Sequence, residues 1–132
     1  MKKNGILNAD ISRVLSYMGH TDHLCVGDCG LPIPDTTERI DLTVSFGNPS
    51  FMEVLKEVVK DMKVEKIILA EEIKEQNPEQ LKNVLNLFPG IEVEYVSHVK
   101  LKEMSGSCKA VIRTGETTPY SNIILQSGCI FS

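Results

Sequence analysis

The chain has 132 residues, a net charge of -4 and a pI near 5.4. That length suits one compact domain, residues 1–132, with a core that needs no disulfide support. The acidic balance supplies no basic footprint for nucleic acid, and the apolar runs are too short for a membrane span.

The opening stretch, MKKNGILNADIS, has two lysines with no apolar segment after them. It does not read as a secretory leader, and a cytoplasmic location is expected. Asn8 is placed to cap a helix whose apolar residues Ile11, Val14, Leu15 and Met18 recur at i, i+3, i+4 and i+7. Gly19 is expected to end it in a left-handed conformation, which leaves His20 just beyond a helix end. HLCVGD then reads as a short buried strand stopped by the GLPIP turn.

RIDLTVSF alternates as a second strand, and Asn48–Pro49 is expected to open a helix with Phe51, Val54, Leu55, Val58, Val59 and Met62 inward. EKIILA has strand length. Asn77–Pro78 opens the next helix, with Leu81, Val84, Leu85 and Phe88 inward and Pro89–Gly90 closing it. IEVEYV follows as a strand, then a short helix over 99–105, then strands in KAVIRTG and NIILQSG around the ETTPYS loop. Strands alternating with helices of about this length predict an α/β fold. The expected architecture is a single three-layer domain, Rossmann-like, with a largely parallel sheet flanked by helices.

In such sheets ligands gather at the carboxyl ends of the strands. Asp28, Ser97–His98 and Thr114–Gly115 all follow predicted strands. His20 can exchange protons near neutrality, and a neighbouring carboxylate such as Asp28 would orient it or bind hydroxyls directly. The same two residues could simply cap a helix and a turn. His98 stands where the strand in EYVSH runs out, and Lys102, four residues on, would share its helix face. RTGETTPYSN has the groups of a hydrogen-bonding loop, and Tyr120 and Asn122 suit the vicinal hydroxyls of a sugar. With one glycine and no glycine–lysine pair, it is no P-loop.

Cys25, Cys29, Cys108 and Cys129 lack C-x-x-C spacing and read as reduced structural thiols. The His20-x2-His23 spacing matches no familiar zinc site, so no metal is expected. No nucleophile elbow is present.

MKKNGILN, GHTD, DCGLPIPD, RIDL, AEEI, VSH, VIRTGE and TPYSNIILQSG, taken in order, resemble the D-ribose pyranase family, relatives of the L-fucose mutarotases. The resemblance runs from residue 1 to about 131, with Cys29 and Ser121 standing where alanine is expected. It implies a cofactor-independent intramolecular isomerase that interconverts the pyranose and furanose forms of D-ribose. It gives His20 as proton donor and Asp28, His98, Tyr120 and Asn122 as sugar-binding residues, with Ser121 contributing backbone and Lys102 a further contact. His23 matches no site position and is expected at the surface. The family builds its sites between subunits of a ring-like homodecamer. A mutarotase for another monosaccharide such as L-fucose, or a non-catalytic ribose-binding accessory of ribose uptake, are the competing readings.

Overall fold

In a computed structural model, which describes residues 1–131, six strands form one sheet in the order β2-β5-β1-β6-β3-β4. The strands are β1 (His23–Gly27), β2 (Arg39–Asp41), β3 (Val64–Ala70), β4 (Glu92–Val96), β5 (Val111–Arg113) and β6 (Ile123–Ser127). The helices are α1 (Ala9–Tyr17), α2 (Phe51–Asp61), α3 (Ile73–Gln76), α4 (Pro78–Leu87) and α5 (His98–Ser105). β1 and β2 each pair with β5 in parallel, and β3 pairs with β4 in parallel. Only β6 runs the other way, antiparallel to both β1 and β3. The largely parallel, Rossmann-like layer architecture expected from the sequence is therefore present, with one reversed strand at its centre.

Successive residues of a strand face opposite sides of a sheet, and β3 is buried on both. Ile67 and Leu69 join a core with Val14, Leu55, Val58, Ile73, Val84 and Phe88, which places α1, α2, α3 and α4 on one face. Ile68 and Ala70 join a second, smaller core with Leu31, Ile33 and Leu101, where α5 and the loop after β1 cover the other face. The three layers are thus uneven, four helices against one.

Local chemistry accounts for the ends. Asn8 caps α1 by accepting from Ile11 N, and Asn77 caps α4 by accepting from Gln80 N, with Pro78 in the first turn. α2 starts later than the Asn48–Pro49 signal implies. Ser50 is its cap, in a reciprocal capping box with Glu53. α1 ends at an extended Met18 rather than at a left-handed Gly19. Asp22 accepts from Gly19 N at 2.8 Å, and the left-handed residue is Thr21, at φ 70°.

Two further expectations need correction, and one short helix was not expected. The strand expected over RIDLTVSF stops at Asp41, whose carboxylate accepts from Thr43 N and turns the chain. Val44 and Phe46 are consequently exposed. α3 is a helical turn whose one buried residue, Ile73, gives too little apolar periodicity to be read. On α4, Leu85 faces solvent while Gln80 is buried, because Gln80 is drawn inward by a hydrogen bond to Ser121.

Candidate functional site

The polar groups expected at strand ends meet at the carboxyl edge of the sheet. Asp28 follows the last residue of β1, and Asn122 precedes the first residue of the antiparallel β6. Asn122 Oδ1 accepts from Asp28 N at 2.9 Å, and Asn122 Nδ2 donates to Asp28 Oδ2 at 3.0 Å. Asp28 Oδ1 accepts from Gly30 N at 2.9 Å. The carboxylate is held on both oxygens, yet each keeps accepting capacity for a further donor. This approach requires glycine at 27: a Cβ there would lie 2.7 Å from Leu31 Cδ2 and 2.9 Å from Asn122 Oδ1.

Tyr120 precedes that asparagine in a left-handed conformation, φ 57°. Such a backbone costs a bulky residue energy and persists only when its surroundings over-determine it. They do so here. Asn77 Nδ2 donates to Pro119 O at 2.9 Å, Gln80 Nε2 donates to Ser121 Oγ at 3.1 Å, and Thr118 Oγ1 lies 2.8 Å from Ser121 Oγ. Ser121 is fully buried and its hydroxyl is taken up by these bonds.

Below the same loop lies Glu116. Burial works to raise its pKa, but N–H donors from Phe51, Thr118 and Thr117, with the Thr118 hydroxyl, outweigh it and hold the carboxyl below its ordinary value of 4.5. The folded protein therefore prefers ionised Glu116. The stability this contributes is fully present above the unfolded-state value and is lost as pH falls through the lower folded one. Thermal melts should accordingly show Glu116→Gln less stable than the unsubstituted protein near neutrality, with the gap closing from about pH 6 to about pH 3. A gap that stays constant over that range would show that the charge contributes nothing.

The Tyr120 ring meets His98 edge-on, with centroids 5.1 Å apart and planes at 87°. His98 opens α5 after its cap Ser97, and its backbone N–H donates to both oxygens of Glu72 at 3.1 Å. Its ring Nδ1 is buried and has no hydrogen-bond partner among the described residues. A buried polar atom in that state is costly unless something else completes it. Lys102 is half-buried one turn further along α5. Tyr120 packs against both cores at the sheet's end, so it links the Asp28–Asn122 pair to His98.

His20 is elsewhere. It precedes β1, at the amino edge, whereas Asp28 follows β1. Five strand residues at about 3.3 Å each put about 16 Å between the two edges. Within one chain the expected pairing of His20 with Asp28 does not form. The carboxylate beside His20 is Glu65, with Oε2 3.0 Å from His20 Nε2. His20 also lines a cavity of about 390 Å³ with Leu15, Met18, Asp61, Lys63 and Ile130. His23, expected at the surface, is half-buried in β1 with its Nε2 3.0 Å from Gln126 Oε1.

Cys25 and Cys108 behave as the structural thiols expected. Burial pushes Cys108 up to about 12 and Cys25 well above its ordinary value, so both stay protonated and pack as small apolar groups. Much of RTGETTPYSN is likewise structural. Arg113 Nη1 pairs with Asp41 at 3.1 Å, and Thr114 Oγ1 donates to Gly27 O at 2.7 Å.

Glu65, Glu72 and Gln80 were not among the residues singled out from the sequence. Their roles depend on contacts across 26 to 45 positions, for which a single chain's pattern carries no signal.

The chain is 56% identical over 131 residues to the D-ribose pyranase of Lactobacillus acidophilus, covering 99% of this chain and 100% of that one. The structure of Bacillus subtilis RbsD complexed with D-ribose superposes with a TM-score of 0.97 at 47% identity, covering 99% and 100% of the two chains. The fucose mutarotase of Streptococcus pneumoniae, solved with L-fucose, shares the fold at a TM-score of 0.82 and 21% identity, over 98% and 100%. Residues 1–130 match the family described as the RbsD / FucU transport protein family. With that match over nearly the whole length and a relative this similar end to end, the chain belongs to the RbsD / FucU family.

Proposed function

We propose that this protein is a D-ribose pyranase, a cofactor-independent isomerase that exchanges the pyranose and furanose rings of D-ribose in the cytoplasm. The observation that carries the reading is the carboxyl-edge cluster, where Asp28 is held by Asn122 and the buried Nδ1 of His98, beside Tyr120, has no partner among the described residues. Vicinal sugar hydroxyls, each a donor and an acceptor, would complete both groups. The Ser121 backbone and Lys102 are the further contacts that the resemblance implies.

Ring exchange needs a proton delivered to the ring oxygen and another removed from the anomeric hydroxyl. The C–O bond opens, the aldehyde rotates, and a different hydroxyl closes the second ring. No electrons leave the sugar, so the chemistry calls for positioned acid–base groups, typically worth 10²–10⁴-fold. His20 is the proton donor in this reading. The base is drawn from Asp28, His98, Tyr120 or a bound water.

Because His20 stands at the opposite sheet edge, the complete site joins two copies, the amino edge of one against the carboxyl edge of the next. Such a head-to-tail contact closes into a ring when its rotation closes, as in the ring-like decamer that the resemblance implies. Exposed apolar groups support it at both edges: Val44 and Phe46 on one, Tyr17, Ile130 and Phe131 on the other.

Saturation-transfer NMR of D-ribose tests the reading. The protein is expected to accelerate pyranose–furanose exchange, and to do so more for ribose than for L-fucose. Ribose binding without added exchange would favour the non-catalytic accessory instead.

A further inference from the structure

Around His20 four side chains form one run of hydrogen bonds. His20 Nε2 meets Glu65 Oε2 at 3.0 Å, Gln126 Nε2 donates to Glu65 Oε1 at 2.8 Å, and Gln126 Oε1 lies 3.0 Å from His23 Nε2. The directions of these bonds follow from donor chemistry. Hydrogen bonds from Gln126 and His20 hold the Glu65 carboxyl below its ordinary range, so near neutrality it only accepts. His20 must then carry a hydrogen on Nε2. Gln126 must turn its NH₂ to Glu65 and its oxygen to His23, whose Nε2 therefore donates.

The backbone is arranged for this contact. The β3–β6 register shifts between Val64 and Lys66, which leaves Glu65 at a bulge, a device that re-aims a side chain. The loop bearing His20 is tied down by Thr21 N donating to Ser127 O at 2.9 Å and Gly19 N donating to Asp22. Asp61 and Lys63 are the other charged groups lining the cavity at His20, while Lys109 is engaged with Asp22 at 3.9 Å.

We propose that Glu65 is the positioning residue for His20: it keeps a hydrogen on Nε2 and so makes Nδ1 the nitrogen that exchanges protons with the sugar. The inference rests on the reading of His20 as the proton donor. The imidazolium gives its Nδ1 proton to the ring oxygen as the ring C–O bond breaks, while the base takes the proton of the anomeric hydroxyl, which becomes the aldehyde oxygen. That leaves the neutral Nε2–H tautomer, which Glu65 stabilises. On closure the Nδ1 lone pair recovers a proton from the attacking hydroxyl, and the base returns its proton to the aldehyde oxygen. Gln126 keeps Glu65 in place, because its amide is itself oriented by His23.

Glu65→Gln is the decisive variant. Gln126 offers NH₂ to position 65, so the new amide must face Gln126 with its oxygen and His20 with its NH₂. Nε2 of His20 then has to accept, and the proton of the neutral ring moves to Nδ1. Nitrogen-15 NMR of the assembled protein at about pH 8.5, where an ordinary imidazole is neutral, reads this directly. The expected results are Nε2–H in the unsubstituted protein and Nδ1–H in E65Q. The kcat for ribose exchange in E65Q should fall tenfold to a hundredfold, roughly as for loss of a group that orients a histidine ligand, with KM little changed. Glu65→Asp should keep the Nε2–H tautomer and most of the rate. In the double variant E65Q/Q126A the new amide is free to turn its oxygen back to His20, so tautomer and rate should recover in part. An E65Q protein that keeps Nε2–H, or that shifts tautomer at full rate, overturns the positioning role alone. Unsubstituted protein that accelerates no exchange overturns the pyranase reading and this role with it.

Discussion

Two variants that are each inactive alone should restore ribose exchange when they assemble together. His20→Ala removes the proposed proton donor, and its homo-oligomer is expected to lose roughly 10²–10⁴-fold in rate. Asp28→Asn breaks the other half. Both Asp28 oxygens accept, one from Gly30 N and one from Asn122 Nδ2, so an amide in that place sets its NH₂ against a donor in either orientation. Because the two residues stand at opposite edges of the sheet, the proposed site needs the His20 of one copy and the Asp28 of the next. Random co-assembly at equal amounts leaves about a quarter of the sites with both groups intact, since each half is correct half the time at a heterologous interface. The measurement is ribose exchange by NMR on refolded mixtures, with hybrid assemblies verified by native mass spectrometry. Hybrids as inactive as their parents would remove the shared-site reading.

Asn122→Ala should weaken both ribose affinity and the fold. The substitution strands Asp28 N, which donates to Asn122 Oδ1, and removes the donor on Asp28 Oδ2. Leaving such groups unsatisfied costs about 1–3 kcal/mol, readable in chemical denaturation. The same loss frees the Asp28 carboxylate to rotate, so KM for ribose is expected to rise at least tenfold while His20, at the far edge, is untouched. An N122A protein with unchanged KM would show that the Asp28–Asn122 pair only closes the sheet's end.

The elements that were legible in the sequence are those whose signals are local. α2 and α4 show apolar periodicity with side-chain caps within three residues, and β3 and β4 are short apolar or alternating runs. The errors arose where a distant partner decides. RIDLTVSF alternates well, yet only Arg39–Asp41 finds a neighbour in β5, and beyond it the chain is tied to the Gly115 loop instead. The approach there is close: a Cβ on Gly115 would lie 2.6 Å from Asn48 N.

For the site, the rule that ligands collect at carboxyl ends of strands made Asp28 and His98 candidates from residue order alone. Tyr120 and Asn122 came from the hydrogen-bonding chemistry of their loop. His20 and Asp28, only eight positions apart, looked like a pair, but the residues between them are the extended strand that separates them.

Sequence by itself determined the layer class and the order of every strand and of the longer helices, because caps, periodicity and strand ends are written within a few residues. Tertiary structure alone decided which groups meet. The antiparallel β6 carries Asn122 to Asp28 at one end and Gln126 to Glu65 at the other, across 94 and 61 positions. Register between strands depends on how the alternating patterns of two partners bury together, and those partners lie far apart in the chain.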